Sequence, residues 1–418
     1  MKRNVLWTKG HKLLSFEVFT DKGGKSANML GQVIFVKYFE DVVDPSLHVD
    51  ITIADTNGLL NKLPIRSGSV VKIQLSHPSQ DDPLQLSLIV TNISGHIIDN
   101  KREIYTLTCE TKGALSNHTN RVWKKYTGSI AATVSTIIKE KIDGEIKSER
   151  LDLTSNDLEF YGNYRRPFKV ISDLCRKAIP QTSGSSEKGS GGTAGYLFYE
   201  TQDGYNFKSI DVIFKGEAVE TYEMTPFKKS LDVSNNFKLS DSPSLKESHD
   251  IIKKLRSGAF SSSNWYYDVL TRKVIFENFK FNKNIELAND EEVVPTDYKE
   301  PYSRIILSTL DQGTTVKDAD GVKTNTPQRQ AEYQAQASAR YSAMYSQILD
   351  ITVPMNLSLR AGNVIEVKFP DLNTGKPKGK NSPESGKYMI AKLSHEFGNP
   401  EGDFTGLSLV RDSFTINE

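Results

Sequence analysis

Apolar and polar residues alternate in "LHVDITI": Leu47, Val49, Ile51 and Ile53 fall on one side, His48, Asp50 and Thr52 on the other. A period of two marks a half-buried strand. "TNGLLNKLP" interrupts it with a turn or short helix that stops before Pro64. In "IRSGSVVKIQL", Ile65 to Leu75, the alternation returns with Val71, Ile73 and Leu75 against Lys72 and Gln74. "LQLSLIVTNIS" and "EIYTLTCET" continue the series, separated by the turn-rich gaps "SHPSQDDP" and "GHIIDNKR". Short strands at this spacing predict an antiparallel sandwich or barrel.

Helical spacing takes over in "TGSIAATVSTIIKEKIDG". There Ile130, Val134, Ile137, Ile138 and Ile142 share a face, with Thr127 or Ser129 as cap. "RRPFKVISDLCRKAIP" starts a helix on Pro167, carries a stripe of Phe168, Ile171, Leu174, Cys175 and Ala178, and stops at Pro180. The Gly/Ser-rich segment 181–195 reads as a surface loop. "YLFYETQDGYNFKSIDVIF" then reads as two strands joined near "QDG". Beyond Ser240 come a helix ending near Gly258 and aromatic strands around Trp265, Tyr266 and Tyr267. A long helix follows at 327–346. Thr326 caps it, Pro327 starts it, and Tyr333, Ala337, Tyr341 and Tyr345 recur four apart. At about 1.5 Å per residue it spans roughly 30 Å, enough to cross a whole β-domain. "ILDITVP", "NVIEVKF", "KYMIAKLSHEF" and "TGLSLVRDS" return to strands.

Two of these phrases are the same phrase. "LRAGNVIEVKF", Leu359 to Phe369, matches "IRSGSVVKIQL" position for position, 294 residues later (359 − 65). Asp50-Ile51-Thr52-Ile53 answers to Asp350-Ile351-Thr352-Val353 at an offset of 300 (350 − 50). At the same offset "IVTNIS" (Ile89 to Ser94) pairs with "MIAKLS" (Met389 to Ser394), and Leu107-Thr108 with Leu407-Ser408. The matches are collinear and keep strand phase, which a one-residue slip would invert. The chain therefore reads as two copies of one small β-domain, the second preceded by the long helix. Gly68 and Gly362 fit a tight turn of positive φ just before a strand. Arg66 and Arg360 belong to the same turns, as solvated arginines or as interface and ion-pair groups.

Composition narrows the function. A length of 418 residues predicts two to four domains. Lys+Arg number 53 against 52 Asp+Glu, which gives no global bias toward nucleic acid or an anionic membrane. No apolar run approaches a bilayer span, and the first residues lack the apolar core of a signal peptide. Cys109 and Cys175 read as two buried thiols rather than a disulfide framework, as expected of synthesis in a reducing cytoplasm.

The search for chemistry returns little. "DKGGKS" (Asp21 to Ser26) lacks the first glycine of a phosphate loop, since Phe19 holds that position. "HEFGN" at His395 begins like a zinc-protease signature, but Asn399 stands where the second histidine belongs. The seven histidines show no ligand spacing. Asp81/Asp82 and Asp290/Glu291/Glu292 read as solvated acidic turns. No catalytic residue, metal ligand or cofactor is expected. "NWYYD" offers aromatics either for a protein interface or for stacking on a sugar.

Taken in order, "RRPFKVISDLCRKAI", "GYLFYETQDGYNFKSIDVIF", "LRSGAFSSSNWYYDVLTRK", "LRAGNVIEVKFP" and "SGKYMIAKLSHEF…GLSLVRDSF" resemble the baseplate hub protein of contractile-tailed phages. The phrases cover most of the chain. The resemblance implies a mainly β (α+β) homotrimer in which each chain supplies two similar antiparallel β-barrel tube domains and smaller α/β inserts. Six barrels then form a pseudo-sixfold ring. It would adapt tail-tube or tube-initiator proteins above to a trimeric spike below, with other baseplate proteins around it. Genomic DNA would be transiting cargo only, with no membrane insertion. The location implied is the virion tail baseplate, assembled in the host cytoplasm. Cell-wall cutting would belong to the spike, so the chain itself is expected not to be an enzyme. The implied division is a first barrel at 1–125, a connecting α/β domain at 126–204, and a second barrel from 205–240 and 301–418, with 241–300 inserted. A hub fused to its spike, as in contractile secretion machines, would carry β-helix repeats after Phe414, and none is read there. The competing reading is a glycan-binding or hydrolytic tail component working through "NWYYD".

Overall fold

The structure, a computed structural model, describes residues 10–20, 26–62, 65–78, 80–99, 102–181, 192–224, 236–237, 244–248, 250–269, 272–280, 302–309, 316–317, 323–324, 327–369, 384–398 and 402–413. It is mainly β. The first third supplies β1 (Lys12–Phe19), β2 (Val33–Asp41), β3 (His48–Asp55), β4 (Val70–His77), β5 (Gln80–Asp99) and β6 (Arg102–Glu110). These pair antiparallel in the order β2-β3-β6-β5-β4-β1. The predicted alternation holds, with Val49, Ile51, Ile53, Val71, Ile73 and Leu75 all in one core. The two predicted gaps hold the chain reversals but are narrower than expected, since His77 already pairs with Gln80 and Asp99 with Arg102. β4 reaches His77, and β5 runs from Gln80 unbroken to Asp99, so Asp81 and Asp82 are strand residues rather than a loop. Gly95, at φ +64, lies in an irregularity after Ser94 and bends the strand instead of ending it.

The middle of the chain folds around α1 (Ile130–Ile137), α2 (Pro167–Cys175) and the hairpin of β7 (Tyr196–Thr201) with β8 (Gly204–Ser209). Ser129 is the cap of α1, its Oγ accepting from the Ala132 N–H at 3.2 Å, and Pro167 opens α2. Ile130, Val134, Ile137, Phe168, Ile171, Phe198 and Phe207 form a second core. Tyr205 packs into that same core. Most of the Gly/Ser segment lies outside the described residues.

The remainder supplies β9 (Thr221–Met224), β10 (Ser244–Ser248), α3 (Ile251–Ser257), β11 (Ser261–Asp268), β12 (Lys273–Lys280), β13 (Arg304–Thr309), α4 (Pro327–Met344), β14 (Gln347–Pro354), β15 (Val364–Lys368), β16 (Gly386–Phe397) and β17 (Phe404–Arg411). Their main ladder reads β10-β14-β17-β16-β15-β9, the same order as in the first third. Only the last neighbour differs, because β9 runs parallel to β15 where β1 runs antiparallel to β4. Ala337 on the predicted stripe of α4 is buried, and Tyr333 and Tyr341 pack beside it. β12-β11-β13 form a separate three-stranded sheet.

β16 pairs antiparallel with β2, so both ladders join in one fourteen-stranded sheet over a shared core. The two barrels expected from the sequence are not seen closed within the single chain. Among the described strands neither ladder closes on itself, because β2 gives its second edge to β16 of the other copy.

Candidate assembly surfaces

The repeated phrase folds the same way twice. Gly68 (φ +101) and Gly362 (φ +82) both take the left-handed backbone the phrase predicts. The Gly68 N–H donates to the Val90 carbonyl at 2.8 Å, and the Gly362 N–H donates to the Ile390 carbonyl at 2.8 Å. Ser69 N–H closes the first turn on Arg66 at 3.0 Å, and Asn363 N–H closes the second on Arg360 at 3.1 Å. Strand registers agree as well. Ile51 faces Leu107 as Ile351 faces Leu407, and Val70 faces Ile89 as Val364 faces Met389. The bulge after Val90 recurs after Ile390. Thr108 Oγ1 donates to Asp50 at 2.8 Å, and Ser408 Oγ donates to Asp350 at 2.7 Å.

What surrounds the two turns differs. Around Gly68, a Cβ would meet nothing within 4 Å, and Arg66 is exposed. Around Gly362, a Cβ would stand 2.0 Å from the Tyr199 hydroxyl oxygen. Arg360 is held by Asp203 at 2.9 Å and donates to the Leu359 carbonyl at 2.8 Å. The second turn is thus clasped between the first copy and the β7–β8 hairpin.

The clasp centres on Glu40, a carboxylate on the inward phase of β2. It accepts from Ala361 N–H at 2.7 Å, Gln202 N–H at 2.9 Å and the Tyr38 hydroxyl at 2.5 Å. Burial raises its pKa, and those donors oppose the rise. Glu200 on β7 accepts from Leu47 N–H at 3.2 Å and Thr111 Oγ1 at 2.7 Å, and burial pushes it up to about 7. At the rim, Lys37–Glu396 (2.7 Å) and Lys392–Asp41 (2.8 Å) bridge the β2–β16 seam. Raised carboxylates can mark catalysis. Here chain donors occupy both groups and both are buried, which makes them fasteners between parts of the chain.

Sequence reading missed Glu40, Glu200 and Arg340. The signal was a charge in an apolar phase: Glu40 follows Val36 and Tyr38 by twos, and Arg340 is three residues past Ala337 on α4. Arg340 is fully buried, bonded to Asp211 and Asp412 at 2.7 Å each and set over the Phe214 ring. It ties α4 to Asp211, just past β8, and to Asp412, just past β17.

"NWYYD" divides by strand phase. Tyr266 is 2% exposed and faces inward. Trp265 and Tyr267 face outward with Val274, Phe276, Ile305 and Leu307, of which Phe276 is 59% and Leu307 73% exposed. An interface role for these aromatics can therefore rest only on Trp265 and Tyr267. His395 is a core residue bonded to Thr405 Oγ1 at 2.9 Å. Among the described residues no group of three or more His, Cys, Asp or Glu could hold a metal ion. Cys109 and Cys175 are free and buried, and burial lifts Cys109 to about 12. Asp290, Glu291 and Glu292 lie outside the described residues. So does Asp21-to-Lys25 of "DKGGKS". No described helix is long and apolar enough to cross a membrane.

No protein-family model and no curated protein matches the chain. Solved structures do. A tail protein of Neisseria meningitidis MC58 superposes with a TM-score of 0.55 at 12% identity, over 96% of this chain and 97% of that one. The fold is that of a tail protein. The 43 kDa tail protein of prophage MuSo2 from Shewanella oneidensis gives 0.51 at 11% identity, over 95% and 98%. The prophage tail protein gp18 of Listeria monocytogenes EGD-e gives 0.50 at 10%, over 96% and 95%. The shared fold thus extends over nearly the whole length of each of these chains.

Proposed function

We propose that the chain is the structural hub of a contractile phage tail baseplate, and not an enzyme. Three chains form a ring of six β-domains, and the ring adapts a hexameric tail tube to a trimeric central spike. The observation that carries this is the pair of copies with one strand order and one register, joined edge to edge. A trimer of a two-copy chain offers six near-equivalent faces on one side, while its inserts keep true threefold symmetry. In this reading the four-part division at 125, 204, 240 and 300 separates two tube domains from a connector and an insert. Each tube domain completes its barrel in the ring. Tube-initiator proteins bind above and other baseplate proteins around, and DNA passes through the lumen as cargo. Electron microscopy of the assembled protein tests it: a threefold ring with six lobes is expected. A stable monomer by light scattering, alone and with tube and spike proteins, would overturn it.

The outward Trp265, Tyr267 and Phe276 favour one second reading, a glycan-binding surface on β11–β13. Trp265→Ala with Tyr267→Ala would then abolish sugar binding while assembly stays intact. Unchanged binding, or none in the parent, rejects it.

A further inference from the structure

The chain uses one edge of its second copy and, among the described residues, leaves the matching edge of its first copy unpaired. In the second copy, Lys392–Phe397 of β16 is flanked by β17 on one side and by β2 of the first copy on the other. That docking buries Leu393, His395 and Phe397, each 2% exposed or less. In the first copy, the equivalent stretch of β5 pairs among the described residues with β6 on one side only. From Ser94 to Ile98 every residue there is exposed, including Ile97 at 61% and Ile98 at 73%. The irregularity after Ser94 brings these two isoleucines to the end of the strand, where β16 has Phe397. An apolar, unpaired strand edge invites another strand.

The chain also carries the strand that fits. β10 occupies in the second copy the place of β2 in the first, beside β14 as β2 lies beside β3. Where β2 gives its outer edge to β16, β10 among the described residues pairs with β14 alone. Leu245 on it is 44% exposed.

We infer that the β5 edge from Asn92 to Ile98 receives β10 of a second copy of this chain, antiparallel, repeating between chains the seam that β2 and β16 make within one. Among the described residues each chain then has one unpaired edge of each kind, so the contact is head-to-tail, and such contacts build rings or filaments. The number of chains in the ring rests on the homotrimer reading above; the edge itself does not. The internal seam also gives the register. Ser394 faces Phe39 there, while Phe39 and Glu247 hold matching places opposite His48 and Ile348. Ser94 should therefore lie opposite Glu247 of the next chain.

Two measurements test this on the full chain. Ile97→Asp with Ile98→Asp alters exposed positions, so circular dichroism should match the parent, while light scattering shows at least a tenfold weaker association. Mixing Ser94→Cys chains with Glu247→Cys chains under mild oxidation should yield a covalent dimer that neither variant gives alone. A parent oligomer of unchanged size in the double aspartate variant overturns the proposed edge and leaves the trimer reading standing. So does a failure of the mixed chains to cross-link. A parent chain that is monomeric at every concentration overturns both.

Discussion

The two copies are alike in pairing and unlike in surroundings, and the difference lies in what each packs against. Gly68 and Gly362 make the same backbone bond, yet open space surrounds one and Tyr199 crowds the other. The ends of β5 and β16 are likewise the same strand, paired on one side in the first copy among the described residues and on both sides in the second. Strand order is thus a property of the repeated sequence. Burial is a property of position in the assembly, because the β7–β8 hairpin and β2 can reach only one copy within a single chain.

The sharpest way to break this comparison is to place the same charge at the end of each strand. Phe397→Asp puts a carboxylate into a site 1% exposed. It should destabilise the chain by about 5 kcal/mol or more, combining lost packing with an unpaired buried charge. Ile97→Asp, at a position 61% exposed, should move the stability of the isolated chain by less than about 0.5 kcal/mol. Urea unfolding of the two variants reads both numbers. Equal losses would mean that the β5 edge is already covered within the chain.

The turns give the next largest contrast. Gly362→Ala combines a left-handed backbone with a Cβ 2.0 Å from the Tyr199 hydroxyl oxygen, and about 3–5 kcal/mol of lost stability is expected. Gly68→Ala meets only the backbone term, about 1–2 kcal/mol. Melting temperatures of both variants, measured side by side, check the order. A reversed order would mean that the clasp on Arg360 and Gly362 does not form.

Much of this was legible in the sequence because strands announce themselves by phase. Val49, Ile51 and Ile53 alternated, Pro167 and Ser129 marked helix starts, and the echo of "IRSGSVVKIQL" foretold a shared register that the pairings reproduce. The run "SHPSQDDP" locates the reversal between β4 and β5 but overstates its length, because Pro and Asp signal turns by composition while cross-strand pairing carries both strands into the run. "NWYYD" could not be divided into inward and outward residues before the strand was fixed, so Tyr266 was grouped with Trp265 and Tyr267. Closure was illegible for a deeper reason. Whether β2 turns back on its own copy or onto β16 depends on the free energies of competing edges, and both edges carry the same alternation.

Glu200 makes the clasp sensitive to pH. Its folded pKa is raised from the ordinary 4.5 to about 7, so the folded chain holds that proton more tightly than the unfolded one. The stabilisation is complete below about pH 4.5 and is lost as pH rises through about 7, some 3 kcal/mol in total. His395 acts in the opposite sense, since burial lowers it to about 3, and the raw profile mixes the two. Glu200→Gln removes one contribution while keeping an oxygen for the Leu47 and Thr111 donors. Parent stability minus variant stability should therefore fall between pH 4.5 and 8 in thermal unfolding. A flat difference would show that Glu200 is hydrated and that the hairpin is not clasped against the first copy.

The smallest effect probes where the copies agree. Thr108 and Ser408 each donate a hydroxyl to the paired aspartate on the neighbouring strand, at 2.8 and 2.7 Å. Thr108→Val and Ser408→Ala remove one such bond apiece, and each should cost about 1 kcal/mol. The second should cost slightly less, because Asp350 keeps an ion pair with Lys246 while Asp50 loses the one side-chain hydroxyl set against it. Unfolding free energies from denaturant titration within about 0.5 kcal/mol of each other are expected. A loss confined to one copy would mean that shared register does not carry shared energetics. In that case the cross-strand hydroxyls would be a relic of duplication, and the surroundings of each copy would govern its stability down to single hydrogen bonds.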